Sequence, residues 1–138
     1  MIAYLDSSVV LRVVLGQSDR LSEWKTIETA VSSALLEVEC LRTLDRLKLR
    51  NLLRDEDLVP RREAIFRLVE EIEIVEPTRA VLSRASQPYP SPLGTLDAIH
   101  LASALLWKEN VGKDVIMATH DGALALAARA SGMTVAGV

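Results

Sequence analysis

The sequence predicts a three-layer α/β/α sandwich with a short, mostly parallel central sheet. Short apolar segments alternate with segments of helical periodicity, and strands that alternate with helices pair in parallel through right-handed crossovers. The predicted strands, such as IAYL at 2–5 and VIMA at 115–118, are apolar throughout, so both faces of the sheet are expected to be covered. The chain has 138 residues, 49% of them hydrophobic, and we expect one domain spanning 1–138.

The order of elements follows from apolar runs and from the residues that interrupt them. Strands are predicted at 2–5, 30–33, 72–75, 115–118 and 133–136. Helices are predicted at 7–15, 18–28, 34–48, 78–85, 96–109 and 123–130, with a further charged helical stretch that breaks near Pro60 and ends near Glu70. Gly132 closes the last helix, and the three prolines of QPYPSPLG, 87–94, make that segment a loop.

The net charge and the cysteine count limit the functions and the cellular compartment that can be expected of this protein. The net charge of −3 disfavours a protein that binds polyanions through its overall charge, although a local basic strip with a bound metal stays compatible with RNA. Cys40 is the single cysteine, so an internal disulfide is impossible and a reducing compartment is favoured. With no signal peptide and no apolar run of about 18 residues, we expect a cytoplasmic protein without membrane contact.

Two aspartates lie just past the carboxyl ends of predicted strands. Asp6 follows the strand at 2–5, and Asp121 follows VIMAT at 115–119. Since the carboxyl ends of parallel strands meet at one edge of a sheet, where ligands usually bind, both residues are candidate metal ligands. Taken alone, each is also a plausible helix N-cap whose carboxylate accepts an amide hydrogen of the next turn, and this alternative stays open.

Two further acids lie in the early turns of predicted helices. Asp97 stands in TLDAIHLA, where the helix dipole alone would favour an acid. Glu39 lies beside the apolar stripe of its helix, and its simplest interpretation is a surface ion pair with Arg42. Glu37 competes with Glu39, because two residues of helix turn them to opposite sides and only one faces the site. Helical spacing does not choose between them.

Together, Asp6, Glu39, Asp97 and Asp121 make a stronger case than any one of them. Four carboxylates at one edge of a sheet would raise one another's pKa values by repulsion, and a divalent cation removes that cost. An all-oxygen site suits Mg²⁺ or Mn²⁺, whereas zinc prefers His and Cys. The two histidines are not spaced with the cysteine in a zinc-binding pattern.

Four segments resemble PIN-domain nucleases and occur in the order expected of that family: YLDSSVVLR, SALLEVECLRTL, TLDAIHLASAL and MATHDGALALAARASGM. They are most similar to the VapC toxins of toxin–antitoxin systems, from Tyr4 to Met133. The resemblance implies a PIN-like fold and a Mg²⁺-dependent endoribonuclease, with Mn²⁺ as the other possible metal. It places the catalytic, metal-binding quartet on Asp6, Glu39, Asp97 and Asp121, and it favours Glu39 over Glu37.

The resemblance also implies supporting residues and partners. Polar helpers fall on Ser7 or Ser8, Thr95 and Thr119, and we interpret His100 as a helix histidine satisfied by hydrogen bonds rather than a ligand. The implied partners are a VapB-like antitoxin, an RNA substrate and a second copy in a homodimer. The helix at 7–15 is apolar on nearly every side, which fits either a partner-facing surface or burial.

A basic run extends from the Glu39 helix into the next segment. Arg42 and Arg46 are the candidates for contacting RNA phosphates. The alternative is a solvated face on which the basic residues pair with neighbouring acids.

Two other functions are compatible with the fold class. A phosphotransfer receiver domain needs an acidic pair near the first strand and a Lys after a late strand, but Asp6 is followed by Ser7 and Ser8, and no Lys follows VIMAT. A non-catalytic PIN-like RNA- or protein-binding module is expected to lack one or more of the four acids. Because all four are present, we favour the enzyme.

Overall fold

Five parallel strands form the centre of the molecule: β1 (Ile2–Leu5), β2 (Thr29–Ser33), β3 (Glu73–Val75), β4 (Ile116–Ala118) and β5 (Val135–Ala136). In the computed structural model, which describes residues 1–138, they lie in the order β3-β2-β1-β4-β5. The helices are α1 (Ser7–Val14), α2 (Leu35–Leu49), α3 (Asp55–Glu71), α4 (Arg79–Ala85), α5 (Thr95–Val111) and α6 (Gly122–Ala130).

The central strand β1 shows how the layers form. Because successive side chains of a strand point to opposite faces, Leu5 packs with α1–α3 while Tyr4 packs with α5 and α6. The core therefore has two halves, one on each face of the sheet. Cys40 of α2 is fully buried in the first half, and burial raises the pKa of its thiol to about 12. The predicted three-layer α/β/α sandwich is confirmed.

The direction in which successive strands are added to the sheet reverses at β1. From β1 it moves through β2 to β3 at one edge, and then it returns to place β4 on the other side of β1. The connections that leave β1 and β4 therefore diverge, and a crevice forms at the carboxyl ends of these two strands. Asp6 and Asp121 follow these strands, so the fold places them where ligands bind in open α/β sheets.

Two local predictions were wrong. The segment 18–28 contains only a 3₁₀ turn, Trp24–Thr26, rather than a helix. Its apolar residues Leu21, Trp24 and Ile27 are three apart, a spacing that suits a 3₁₀ turn lying against the core as well as it suits an α-helix. The other error concerns Pro60, which does not break α3. Pro60 lies near the start of this helix on an exposed surface, so the amide that it lacks leaves only a carbonyl that water can reach.

The partner-facing interpretation of α1 is not needed to explain its apolar sequence. Val9, Val10 and Val14 are buried, and Leu11 and Leu15 pack against the same core. None of the helices is both long and apolar enough to cross a membrane.

Candidate active site

Asp6 is held at the carboxyl end of β1 with 4% of its surface exposed. Its amide donates to the carbonyl of Ala118 at 3.0 Å, which fixes the residue beside β4. The side chain does not cap α1; its Oδ2 accepts hydrogen bonds from the hydroxyls of Ser8, at 2.6 Å, and Thr119, at 2.9 Å. The N-cap alternative for the Asp6 carboxylate is therefore wrong. Its Oδ1 receives no hydrogen bond from the protein, which leaves that oxygen for a cation.

Thr119 links Asp6 to the second strand-end acid. Its buried hydroxyl donates to Asp6 and accepts from the backbone amide of Asp121 at 3.0 Å. The Oδ1 atom of Asp121 accepts from the amide of Leu124 at 2.9 Å, so this aspartate does cap α6. Capping occupies one carboxylate oxygen of an exposed residue, and the other oxygen stays open to solvent or a ligand.

Asp97 comes to the same edge from the first turn of α5. It is half-buried and has neither a hydrogen bond nor an ion pair through its side chain. Burial, followed by the negative charges of Asp121 and Asp6, raises the pKa of Asp97 to about 6. This electrostatic coupling indicates that the three aspartates share one region of excess negative charge.

Glu39, in the second turn of α2, contacts α5. Its Oε1 lies 2.5 Å from Nε2 of His100, whose Nδ1 lies 2.8 Å from the hydroxyl of Tyr4. The alternative ion pair between Glu39 and Arg42 is wrong, because Arg42 pairs with Asp45 at 2.9 Å.

His100 is fully buried, and both of its ring nitrogens have partners, as we expected of a satisfied helix histidine. Burial opposes protonation of the ring. The hydrogen bond to Glu39, the charge of Glu39 and the charges of Asp6 and Asp97 outweigh that effect and raise the pKa of His100.

Among the other candidates, Ser7, Thr95 and Glu37 make no side-chain hydrogen bond with the four acids. Ser8, not Ser7, contacts Asp6, and its Oγ also accepts the amide hydrogen of His120 at 3.0 Å. Thr95 is exposed and lines a cavity of about 450 Å³ between α4 and α5. Glu37 lines a groove between α2 and α3.

The two arginines proposed to contact RNA are both exposed on α2. Arg42 is engaged by Asp45, and Arg46 donates to the hydroxyl of Thr43 at 3.0 Å. Neither arginine makes an ion pair with one of the four acids.

Sequence reasoning did not identify Tyr4 as a contributor to this region. Its position in β1 places it on the face opposite Leu5, toward α5, so strand alternation contained a signal. The identity of its partner, His100, depends on how α5 crosses the sheet, which the local sequence does not specify.

The acids fit a hard divalent cation by their chemistry. No three His, Cys, Asp or Glu side chains lie close enough together to hold a metal ion by themselves. Mg²⁺ usually keeps several waters and takes one or two carboxylates, so it does not need three preassembled ligands. Asp6 has an oxygen without a protein donor and Asp97 has no partner, and a cation between the acids would relieve the charge that raises the pKa of Asp97.

Comparisons with known proteins show the family to which the chain belongs. Residues 3–129 match the family model described as PIN domain. Ribonuclease VapC46 of Mycobacterium tuberculosis (strain ATCC 25618 / H37Rv) is 33% identical over 135 residues, which cover 96% of this chain and 94% of that protein. The crystal structure of PAE2754 from Pyrobaculum aerophilum has a similar fold, with a TM-score of 0.58 and 17% identity over 98% of this chain and 89% of that chain. The chain therefore belongs to the PIN domain family, as a member of the VapC type.

Proposed function

We propose that this protein is a Mg²⁺-dependent endoribonuclease and the toxin of a type II toxin–antitoxin pair. The observation that carries the proposal is the link of Asp6 and Asp121 through Thr119 at the carboxyl ends of β1 and β4, together with the effect of both negative charges on Asp97. The substrate class is supported by the relative of 33% identity, which is named as a ribonuclease and matches 96% of this chain.

Asp6 and Asp97 are the proposed direct ligands of the metal, since each has carboxylate oxygen free of protein donors. Asp121, through its second oxygen, and Glu39, through Oε2, act directly or through water. Mg²⁺ or Mn²⁺, when bound, lowers the pKa of a coordinated water and stabilises negative charge on a phosphodiester.

The chain's own polar groups keep the acids in place. Thr119 fixes the orientation of Asp6 through Oδ2 and, by accepting from the amide of Asp121, fixes the start of α6 as well. Ser8 completes the support of Oδ2. Because these donors occupy one oxygen only, Oδ1 of Asp6 keeps a defined direction toward a ligand.

The RNA backbone is proposed to run past α2. Arg42 and Arg46 follow Glu39 by one and two turns, which places them about 4 to 11 Å further along the helix axis. Arg42 is held only by an exposed ion pair with Asp45, and such pairs contribute little, so exchanging Asp45 for a phosphate costs little.

A VapB-like antitoxin and a second copy of the chain are the proposed protein partners. They follow from likeness to the VapC type. The groove between α2 and α3 suits an antitoxin segment, since it combines exposed apolar surface at Val38, which is 51% exposed, with the charged side chains of Glu37 and Arg62.

The test is RNA cleavage by the purified chain freed of any partner. Labelled cellular RNA with Mg²⁺ should be cut at discrete positions, and the cleavage should disappear with EDTA and in the Asp97→Asn variant. Folded protein that cuts no RNA with Mg²⁺ or Mn²⁺ would overturn the proposal and favour a non-catalytic binding module.

A further inference from the structure

We propose that His100 is a positioning residue that holds the carboxylate of Glu39 toward the crevice, through a hydrogen-bond relay that begins at Tyr4. The inference rests on the proposed function, because the orientation of Glu39 matters if this carboxylate assists a bound metal. His100 itself touches neither metal nor RNA.

The relay joins three elements from both halves of the core. Tyr4 belongs to β1, His100 to α5 and Glu39 to α2, and the contacts are 2.8 Å and 2.5 Å long. Tyr4 and His100 have no exposed surface, and their rings meet edge to face with centroids 5.8 Å apart. The imidazole ring therefore has little freedom to turn, and its Nε2 points at one place.

Glu39 has no comparable support without His100. No other group in the structure makes a hydrogen bond or ion pair with its carboxylate, and its side chain is 18% exposed. A glutamate side chain has three rotatable bonds, and fixing it costs rotamer freedom that a single well-placed donor has to offset. The relay uses Oε1 only, so Oε2 remains for a metal or a metal-bound water.

The chemistry of the relay fixes the direction of each hydrogen bond. An ionised carboxylate only accepts, so Nε2 of His100 carries a hydrogen and donates it to Glu39. In the neutral ring, Nδ1 then accepts from the hydroxyl of Tyr4. Partners that orient metal-binding carboxylates and histidines in this way commonly account for about 10- to 100-fold in metal affinity.

The position of His100 distinguishes it from a histidine that only fills the core. Asp97 lies three residues earlier on the same helix, and Asp6 and Glu39 also lie near the ring, so His100 stands at the border between the apolar core and the acids. Each buried ring nitrogen needs a hydrogen-bond partner. The partner of Nε2 is Glu39, which we propose assists metal binding.

Two matched substitutions separate the positioning role from a packing role. In His100→Gln the side-chain amide reaches the place of Nε2 and still donates to Glu39. In His100→Asn the amide reaches only the place of Nδ1, so Glu39 loses its donor. We would titrate Mn²⁺ into each metal-free protein by calorimetry. Glu63→Gln, at an exposed position of α3, is the control for removal of a carboxylate, and thermal unfolding is the measure of folding.

We expect His100→Asn to weaken Mn²⁺ binding about 10- to 100-fold, and His100→Gln to stay within about threefold of the wild type. In a Glu39→Gln background, His100→Asn should add no further loss. Equal weakening by both His100 variants, or a further loss in the Glu39→Gln background, would overturn the positioning role.

The ring nitrogens provide a readout that does not depend on metal or activity. A long-range ¹H–¹⁵N spectrum of the metal-free protein should show a hydrogen on Nε2 of His100, and its absence would overturn the relay. Wild-type protein with this hydrogen but no affinity for Mn²⁺ would overturn the metal-dependent function and, with it, the role of Glu39 toward a metal. The two failures are therefore distinguishable.

Discussion

The hydroxyl of Thr119 donates a hydrogen bond of 2.9 Å to the carboxylate of Asp6 across the ends of two neighbouring parallel strands. Thr119 is fully buried and Asp6 nearly so, and this contact adds a side-chain link to the backbone hydrogen bond between Asp6 and Ala118 of β4. A buried hydrogen bond to an ionised group is stronger than one between neutral groups. The orientation of Asp6 therefore depends on a single hydroxyl of another strand as well as on its neighbour Ser8.

Replacing Thr119 tests that dependence. Thr119→Val keeps the shape but leaves Asp6 with one donor and the amide of Asp121 without its acceptor, so we expect a decrease of about 1 to 3 kcal/mol in the free energy of unfolding. RNA cleavage should fall by at least about tenfold, as for other residues that orient metal ligands. Thr119→Ser, which keeps the hydroxyl, is the control and should stay near the wild type. Urea unfolding and initial cleavage rates measure both effects, and a fully active valine variant would show that the hydroxyl is dispensable.

The ionised carboxylate of Asp97 opposes the stability of the metal-free protein. Its pKa in the folded protein is about 6 against an ordinary value of 3.8, so the folded state binds more protons between these pH values. The contribution of Asp97 therefore becomes less favourable as pH rises through this window. Asp97→Asn should stabilise the metal-free protein at pH 7.5, on the order of 1 kcal/mol after allowance for solvent screening, and much less at pH 4.

The same variant has an opposite effect when metal is present. Saturating Mg²⁺ or Mn²⁺ stabilises a folded protein that binds it, so wild-type protein should show a rise in Tm that Asp97→Asn lacks. Metal binding needs ionised carboxylates, so the wild-type rise should shrink as pH falls below about 6. Thermal unfolding with EDTA and with Mn²⁺, at several pH values, measures both. An Asp97→Asn protein that is less stable in EDTA at pH 7.5 would contradict the electrostatic account.

Gly137 positions the last strand against Thr119. Its φ of +100° is disfavoured for other residues, and an added Cβ would lie 2.5 Å from the carbonyl oxygen of Thr119. Gly137→Ala should lower the free energy of unfolding by about 1 to 3 kcal/mol and reduce cleavage, because it displaces the strand end that carries Thr119. Gly122→Ala is the control, since Gly122 is the first residue of α6, a Cβ there meets nothing within 4 Å and no positive φ is involved. Equal stability of the two variants would refute the prediction.

The salt dependence of RNA binding tests the basic strip on α2. In the non-cleaving Asp97→Asn background, Arg42→Gln and Arg46→Gln together should weaken binding and reduce the slope of log K against log salt concentration by about 0.7 for each phosphate that is no longer neutralised. Lys113→Gln is the matched control, because Lys113 is exposed in the turn before β4, at the opposite edge of the sheet from the acids. A slope that the two arginine substitutions leave unchanged would place the RNA elsewhere.

The sequence predicts the sheet and the strand-end acids because both depend on local patterns. Asp6 directly follows an apolar run and Asp121 follows VIMAT, 115–119, with one residue between, and the alternation of strands with helices brings the ends of those segments together. The choice between Ser7 and Ser8 is different, since it depends on which hydroxyl of the first helical turn reaches back to Asp6, and one turn offers both. The contact of Glu39 with His100 instead of Arg42 depends on where α2 and α5, which pack on opposite faces of the sheet, come together at its edge, and no local pattern encodes that.

The wrong prediction for 18–28 has a similar origin. Leu21, Trp24 and Ile27 must reach the core from a segment that is otherwise polar, and their spacing of three residues satisfies that need in a turn as well as in a helix. At Pro60 the effect of proline depends on its position along the helix. Near the start of a helix, on its exposed side, a missing amide leaves little unsatisfied.

The most direct test of a metal-dependent nuclease at this edge of the sheet compares metal binding with metal-dependent cleavage in one preparation. Mn²⁺ is titrated into the protein by calorimetry, and the rate of RNA cleavage is measured over the same range of Mn²⁺ concentrations, for the wild type and for Asp97→Asn. We predict that half-saturation of binding and half-maximal cleavage occur at similar concentrations and that the variant loses both. Cleavage that persists in EDTA, or Mn²⁺ binding and cleavage that survive in Asp97→Asn, would contradict the account.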